Sequence, residues 1–283
     1  GVFPLYYWLP TSYPILPAPV AAFYAGMLTK VGVYVLLRVF GTVFPASEHG
    51  LHTTLAWAAG FTMVVGVLGA VGQARVQVIL SYHIVSQIGF MVLAIGLHSV
   101  AGFAAAIFYI IHHIVVKSAL FLAGGVIIRA NGTDDLSHTG GLWRTAPWLG
   151  LLFLFQAMSL AGLPPLSGFW GKLMIIQEGF TQSQWTLVVC SLVASILTLV
   201  SMLKIWLGAF WRGTPSGPVR YDRRARAMTA VGLAMVAVSL TIGLGAEIFL
   251  RVADRAARET LDRPGYVRTV LGANATLYQD KQP

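Results

Sequence analysis

Apolar runs of about 20 residues, separated by short polar, glycine- or proline-bearing segments, recur along nearly the whole chain. At ~1.5 Å rise per residue, each is long enough to cross a hydrocarbon layer of ~30 Å as a helix. A remnant at residues 1–9 is followed by a proline-rich stretch at 10–19, which cannot continue a helix and reads as a loop or break. Spans are predicted over residues 20–44, 55–73, 76–97, 101–128, 146–180, 185–211 and 228–250. The run over 146–180 carries Gly162-Leu163-Pro164-Pro165-Leu166-Ser167-Gly168 near its centre, too many breakers for one continuous helix. If its halves do not cross separately, six complete spans remain; if the broken run counts as a crossing, there are seven. The expected fold is an all-α polytopic transmembrane helical bundle with one discontinuous helix, over residues 1–250, with a polar C-terminal tail at 251–283.

Composition agrees with the pattern: 57% of residues are hydrophobic and 10% charged, far from the roughly one quarter charged of soluble domains. The formal charge of +9 does not point to nucleic acid, because the arginines sit in short loops flanking apolar runs, where topology signals lie. Arg75, Arg129, Arg144, Arg212, Arg220, Arg223, Arg224 and Arg226 fall on one side of the alternation. The opposite loops around Glu48, Ser99 and Gln182 hold no Lys or Arg, so the arginine side is expected to be cytoplasmic. Arg251, Arg255 and Arg258 would then lie outside, against that rule. Cys190, the single cysteine, sits in an apolar run and reads as a packing residue; neither a disulfide nor a metal cluster is expected. No phosphate loop, hydrolase elbow or CxxC is present, and no cofactor is expected. The opening Gly1-Val2-Phe3-Pro4 has no Met and no basic leader, which suggests a chain cut from something longer.

Charge inside the apolar runs is where chemistry is to be sought, since a charged side chain near a bilayer midplane costs at least ~2.5–3.5 kcal/mol. Lys30, His83, the group His112, His113 and Lys117, then Lys172 and Lys204 all fall within predicted spans. His113 and Lys117 are four apart and share a helical face. Neighbouring cations repel and desolvation disfavours the charged forms, which is the chemistry of groups that take up and release protons. His83 taken alone reads as a hydrogen-bonded packing histidine, and Lys204 either joins the row or snorkels to an interface. The break at Gly162, Pro164, Pro165 and Gly168 frees backbone groups at membrane depth, as transporters do at ion sites. Lys172 follows it near the start of the second half, where a helix N-terminus disfavours positive charge. Glu178 and Glu247 read as interfacial, Arg38 as a span-end anchor, and His49 and His52 as loop residues that could bind a metal, with nothing else in the sequence pointing to one.

These residues resemble a known family, the antiporter-like membrane subunits shared by Mrp-type multisubunit sodium/proton antiporters, respiratory complex I and membrane-bound hydrogenases. Phe3-Pro4-Leu5-Tyr6-Tyr7-Trp8-Leu9-Pro10 resembles the family's Pro-Leu-His-x-Trp-Leu-Pro segment, with Tyr6 where many relatives carry histidine. Leu28-Thr29-Lys30-Val31-Gly32, continued by Tyr34, Leu36, Leu37 and Arg38, is similar to its Leu-Leu-Lys helix, and Ser81-Tyr82 with Ser86-Gln87-Ile88-Gly89 to its Ser-Gln-x-Gly helix. His112-His113, Lys117, Leu120-Phe121-Leu122 and Gly125 resemble the central His/Lys helix, and Gly162 to Gly168 with Phe169 and Lys172 the broken helix. Within the family, His83, the paired histidines, Thr29, Val31 and Tyr13-Pro14 are most similar to the D-type branch of the Mrp antiporters.

The resemblance implies a proton-translocating subunit of a multisubunit monovalent cation (sodium)/proton antiporter in the inner cell membrane, with no covalent chemistry of its own. Lys30, His113, Lys117 and Lys172 would be members of a mid-membrane proton path, with His83 and His112 beside them. Implied partners are other hydrophobic subunits, the protons and cation carried, and the lipid bilayer. They include the upstream helices, on which the family's paired glutamate and lysine would lie. A membrane-arm subunit of complex I or a hydrogenase is the runner-up, and a non-conducting structural module is the alternative of another class.

Overall fold

The computed structural model of the protein describes residues 1–44, 49–213 and 220–272. The loop around Glu48 and the end of the tail from residue 273 lie outside the described residues. Among the described residues twelve α-helices follow one another: α1 (Trp8–Ser12), α2 (Ala18–Arg38), α3 (His49–Gly72), α4 (Val76–Gly96), α5 (Val100–Asn131), α6 (Leu142–Thr145), α7 (Pro147–Ala161), α8 (Ser167–Thr181), α9 (Trp185–Trp206), α10 (Arg223–Leu244), α11 (Ala246–Leu261) and α12 (Arg263–Leu271). Among the described residues there is no β-strand, and six helices are long and apolar enough to cross a membrane: α2 to α5, α9 and α10. The broken run is two half-length helices, α7 and α8, as its proline and glycine content predicts.

Helices start earlier than apolarity alone suggests, because the backbone ladder does not require an apolar side chain. α2 begins at Ala18 inside the proline-rich stretch, with a proline in its first turn, where an amide has no helical partner. α3 begins at His49 rather than at residue 55, and Thr54 donates to the Gly50 carbonyl within its polar first turns. His49 and His52 are therefore helical, not loop residues, and the His52 ring lies 3.9 Å from that of His98. Ser99 caps α5 by accepting from the Gly102 amide, and Asp222 caps α10 by accepting from the Ala225 amide inside the stretch read as a basic loop.

The segment beyond residue 250 is not an irregular polar tail over its described part. α10 ends at Leu244, and α11 lays Ala246, Ala253, Ala257 and Thr260 against α5 and the turn after α2. Its charged face pairs Arg251 with Glu247 and, at 2.8 Å, Arg258 with Asp254. Positions 246, 253, 257 and 260 recur at helical spacing, which the high charge of the segment hides from a run-length reading.

α5 is the axis of the bundle, in contact with α2, α4, α7, α8, α10 and α11. Only α4 and α5 are buried along nearly their whole length. The closest pair is the α3/α4 hairpin, where glycines let the backbones touch: a Cβ on Gly66 would lie 2.5 Å from the Ser86 nitrogen, and one on Gly89 2.7 Å from the Met63 nitrogen. Beyond that hairpin's polar end the arginines gather on one face. Arg75 pairs with Asp134 at 2.8 Å, Arg129 with both carboxylate oxygens of Asp222, and Arg212 donates to the Leu136 and Ser137 carbonyls.

Two outcomes test these contacts. Gly89→Leu should overpack the hairpin by about 1–3 kcal/mol or more and lower the thermal midpoint of the detergent-solubilised protein. Gly32→Leu, where no atom lies within 4 Å of a new Cβ, should leave it unchanged. Hydrogen bonds from Arg129, then from the Ala225 amide, hold the Asp222 carboxyl well below the usual carboxylate range. A depressed folded value means that the contribution is complete above the unfolded value of ~3.9 and is lost only as pH falls through the folded one. Asp222→Asn should therefore lower the thermal midpoint by the same amount at every pH between about 5 and 8.

Candidate functional site

Lys30 lies on the inward stripe of α2 with Ala22, Ala25, Gly26, Thr29 and Val33, while Phe23, Met27, Leu28 and Val31 face outward. The small residues bring α2 onto α5, where Ser118 donates to the Ala22 carbonyl at 3.0 Å. Lys30 is thereby enclosed and donates its ammonium to the Ala25 carbonyl of its own helix.

α5 carries the densest group. Tyr109, His112, His113 and Lys117 are all fully buried, and the Lys117 ammonium reaches across to the Leu80 carbonyl of α4 at 3.0 Å. His112 Nδ1 meets the Ser167 hydroxyl at 2.7 Å, and that hydroxyl also lies 3.0 Å from those of Ser159 and Ser239. One hydroxyl proton cannot serve three neighbours as donor, so the protonation of His112 sets the direction of the whole serine cluster. Neither ring nitrogen of His113 has a hydrogen-bond partner among the described residues.

The break positions Lys172. Its side chain does not stay at the N-terminus of α8 but crosses to the Ala161 carbonyl, 3.1 Å away, at the C-terminus of α7, and lies over the Phe90 ring at 4.6 Å. The expectation that Lys172 sits against an unfavourable helix dipole is thus corrected: the ammonium faces the negative end of the preceding half-helix and an aromatic face. Gly162, at φ +93°, makes the turn, and a Cβ there would lie 2.9 Å from Lys172 Cδ. Gly168 lets α8 start against α7, since a Cβ on it would sit 1.9 Å from the Ser159 carbonyl oxygen. Pro164 and Pro165 occupy the connection.

α4 and α9 are joined by two polar rungs one turn apart. His83 Nε2 meets Ser201 Oγ at 2.6 Å, and Gln87 Nε2 donates to Thr198 Oγ1 at 3.4 Å while its oxygen accepts from the Tyr109 hydroxyl. The packing reading of His83 therefore has its hydrogen bond, yet Nδ1 of the same ring has no hydrogen-bond partner among the described residues. Lys204 lies apart from the row, at the arginine face, half-buried, donating to the Val71 carbonyl at 2.7 Å and to that of Gln73.

Electrostatically these groups form one set. His113 feels Lys30, Lys117, His112 and Lys172, and His83 feels Lys117, Lys172 and Lys204. No carboxylate is buried among the described residues, and Glu178 is only half-buried, bonded to Gln182 at 2.8 Å. Positive charge on one member is thus opposed by its neighbours and by burial, with no fixed counter-ion to retain it.

The family described as NADH:quinone oxidoreductase/Mrp antiporter, TM, matches residues 1–198. The chain belongs to that family. The D-type subunit of the sodium/proton antiporter of Alkalihalophilus pseudofirmus is 42% identical over 96% of the chain and 55% of its own length. An Mrp complex from Dietzia sp. contains a chain that superposes with a TM-score of 0.89 at 33% identity, over 96% of this chain and 58% of that one. A chain of respiratory complex I from Thermus thermophilus superposes at 0.72 and 29% identity, over 88% and 55% of the two chains. The chain spans about half the length of the relatives it matches.

Within this member of the family the structure gathers Lys30, His83, His112, His113, Lys117 and Lys172 and leaves Lys204 at the rim. Sequence reasoning missed the uncharged members of the site: Tyr109, Gln87, Ser159, Ser167, Thr198, Ser201 and Ser239, and Gln156, whose buried amide has no hydrogen-bond partner among the described residues. A signal for some of them exists on α9, where Ser191, Ala194, Thr198, Ser201 and Ile205 recur at alternating steps of three and four. The turn at the break offers a direct test. Gly162→Ala should cost about 1–2 kcal/mol for a left-handed alanine and push on Lys172, lowering the thermal midpoint; a variant as stable as the parent overturns this account of the turn.

Proposed function

We propose that this chain is part of the proton-translocating subunit of a multisubunit monovalent cation/proton antiporter, in which protons are relayed along Lys30, His112, His113, Lys117, His83 and Lys172. The observation that carries the reading is the set of six buried basic groups, each in electrostatic reach of at least one other, with no buried carboxylate among the described residues. A permanent counter-ion would hold each lysine charged. Bonded instead to neutral carbonyls, an ammonium keeps its charge only until a neighbour takes the proton, and repulsion favours passing it on. His113 is the member whose ring has both nitrogens left for an exchanging proton.

The name of the Alkalihalophilus relative supports sodium as the cation and the D-type subunit as the functional counterpart. Partners in this reading are other hydrophobic membrane subunits and the helices that make up the rest of the relatives' length. The likeness to a complex I chain favours a second reading, a membrane-arm subunit whose row is driven by electron transfer elsewhere. Flavin- or iron–sulfur-bearing partners in the purified complex would select it.

The test is exchange in everted membrane vesicles, read with a pH-sensitive dye on addition of sodium, with assembly checked on the same membranes. Lys117→Ala should lower exchange by about a hundredfold or more while the complex still assembles, and Lys30→Ala and Lys172→Ala should do likewise. Full exchange in Lys117→Ala would overturn the relay and leave a non-conducting structural module.

A further inference from the structure

The row is enclosed at its centre, and a proton entering it has to come from one face of the bundle. His83 is the member nearest to a polar line that leaves the row. On α4 it lies one turn beyond Leu80, whose carbonyl holds Lys117, and the cations within its electrostatic range are Lys117 of α5, Lys172 of α8 and Lys204 of α9. Its Nε2 is 2.6 Å from Ser201 Oγ, and the Ser201 hydroxyl also reaches the Thr198 carbonyl at 3.0 Å. One turn further along α9 comes Lys204.

Lys204 borders a cleft of about 700 Å³ at the arginine face, bounded by Gln73, Ala74, Leu136, Ser137 and Arg212. A purely structural role is available to it, as the cap of the α3 C-terminus through the Val71 and Gln73 carbonyls. An ammonium has three N–H groups, however, and two carbonyls leave the third for the cleft. Ser201 has a single proton and two neighbours. When its hydroxyl points to Thr198, Nε2–H of His83 donates to it; when the hydroxyl turns to His83, Nε2 accepts. This reversal, together with the unpartnered Nδ1 on the far side of the ring, is what a relay station requires and a packing contact does not.

We propose that His83 and Ser201 form the branch through which protons reach the row from the cleft at Lys204 on the arginine face. In one concerted step the Ser201 hydroxyl proton passes to Nε2 of the neutral, Nδ1-protonated His83 as a proton from the Lys204 side replaces it. The Nδ1 proton then passes to the neutral amine of Lys117, and return of the ring to its Nδ1–H tautomer with rotation of the Ser201 hydroxyl resets the branch, so that one proton enters and one moves on. The inference rests on the relay reading of the preceding section.

The experiment uses the whole antiporter complex in everted vesicles, with Lys117→Ala as the gauge of the relay itself. Ser201→Ala, which removes the hydroxyl, should lower exchange by about a hundredfold, and Ser201→Thr, which restores it, should recover most of the rate. Parent-like exchange in Ser201→Ala while Lys117→Ala is inactive overturns the branch and leaves the relay standing; parent-like exchange in both overturns the relay. An assembled Ser201→Thr complex as slow as Ser201→Ala also overturns the branch, because packing rather than the hydroxyl would then govern the rate. Lys204→Cys in a Cys190→Ser background should be labelled by a membrane-impermeant maleimide added on the arginine-loop side. Absence of labelling there, or labelling only from the opposite side, overturns the cleft as the entrance.

Discussion

A lysine ammonium brings three donors and a full charge into the bundle, and with no buried carboxylate among the described residues only main-chain carbonyls, hydroxyls and aromatic faces can answer it. An intact helix has its carbonyls committed to its own ladder, so acceptors must come from second lone pairs or from helix ends. Lys30 and Lys117 use the first source, at Ala25 and Leu80 inside α2 and α4. Lys172 and Lys204 use the second, at Ala161 where α7 stops and at Val71 and Gln73 where α3 stops. The interruption between α7 and α8 is thus what supplies Lys172 with its acceptor.

The same break sets the histidine chemistry. Ser167 is the first residue of α8, and its hydroxyl joins α5, α7 and α10 through His112, Ser159 and Ser239. Gly168 holds the two half-helices together closely enough for that cluster to close. Proton position on His112 and hydroxyl direction on three helices are therefore linked by one atom, Ser167 Oγ, and the short connection carrying Pro164 and Pro165 leaves it little room to drift.

Much of this was legible in the sequence, for identifiable reasons. Run length located the membrane helices, and Gly162, Pro164, Pro165 and Gly168 located the break, because two adjacent prolines flanked by glycines leave no unbroken backbone ladder there, whereas Pro10 falls in the short helix α1 and Pro19 in the first turn of α2. Charge in apolar runs located Lys30, His83, His112, His113, Lys117 and Lys172, because burial of a basic group is too costly to be incidental. Helix starts at His49 and Arg223 were not legible from apolarity, since both first turns are polar and the start at Arg223 is set by the Asp222 cap rather than by hydrophobic pattern. Nor were the partners of the lysines: a carbonyl carries no sequence signature, and only the fold shows that Lys172 answers to Ala161 across the break.

Which side of each helix carries the polar groups follows from how the helices are enclosed. α4 and α5 touch protein almost all round, so a polar side chain on either must meet another helix. α2 and α9 have an outward face, and there the division is sharp: Phe23, Met27 and Val31 on α2, and Leu192, Ile196, Val200 and Leu203 on α9, point away, while Lys30, Thr198 and Ser201 point in. Four inward stripes therefore converge on one interior line, and the glycines at the α3/α4 contact add no polar group of their own to it. The polar groups on these helices gather inward because the outward faces are left to side chains that lipid accepts.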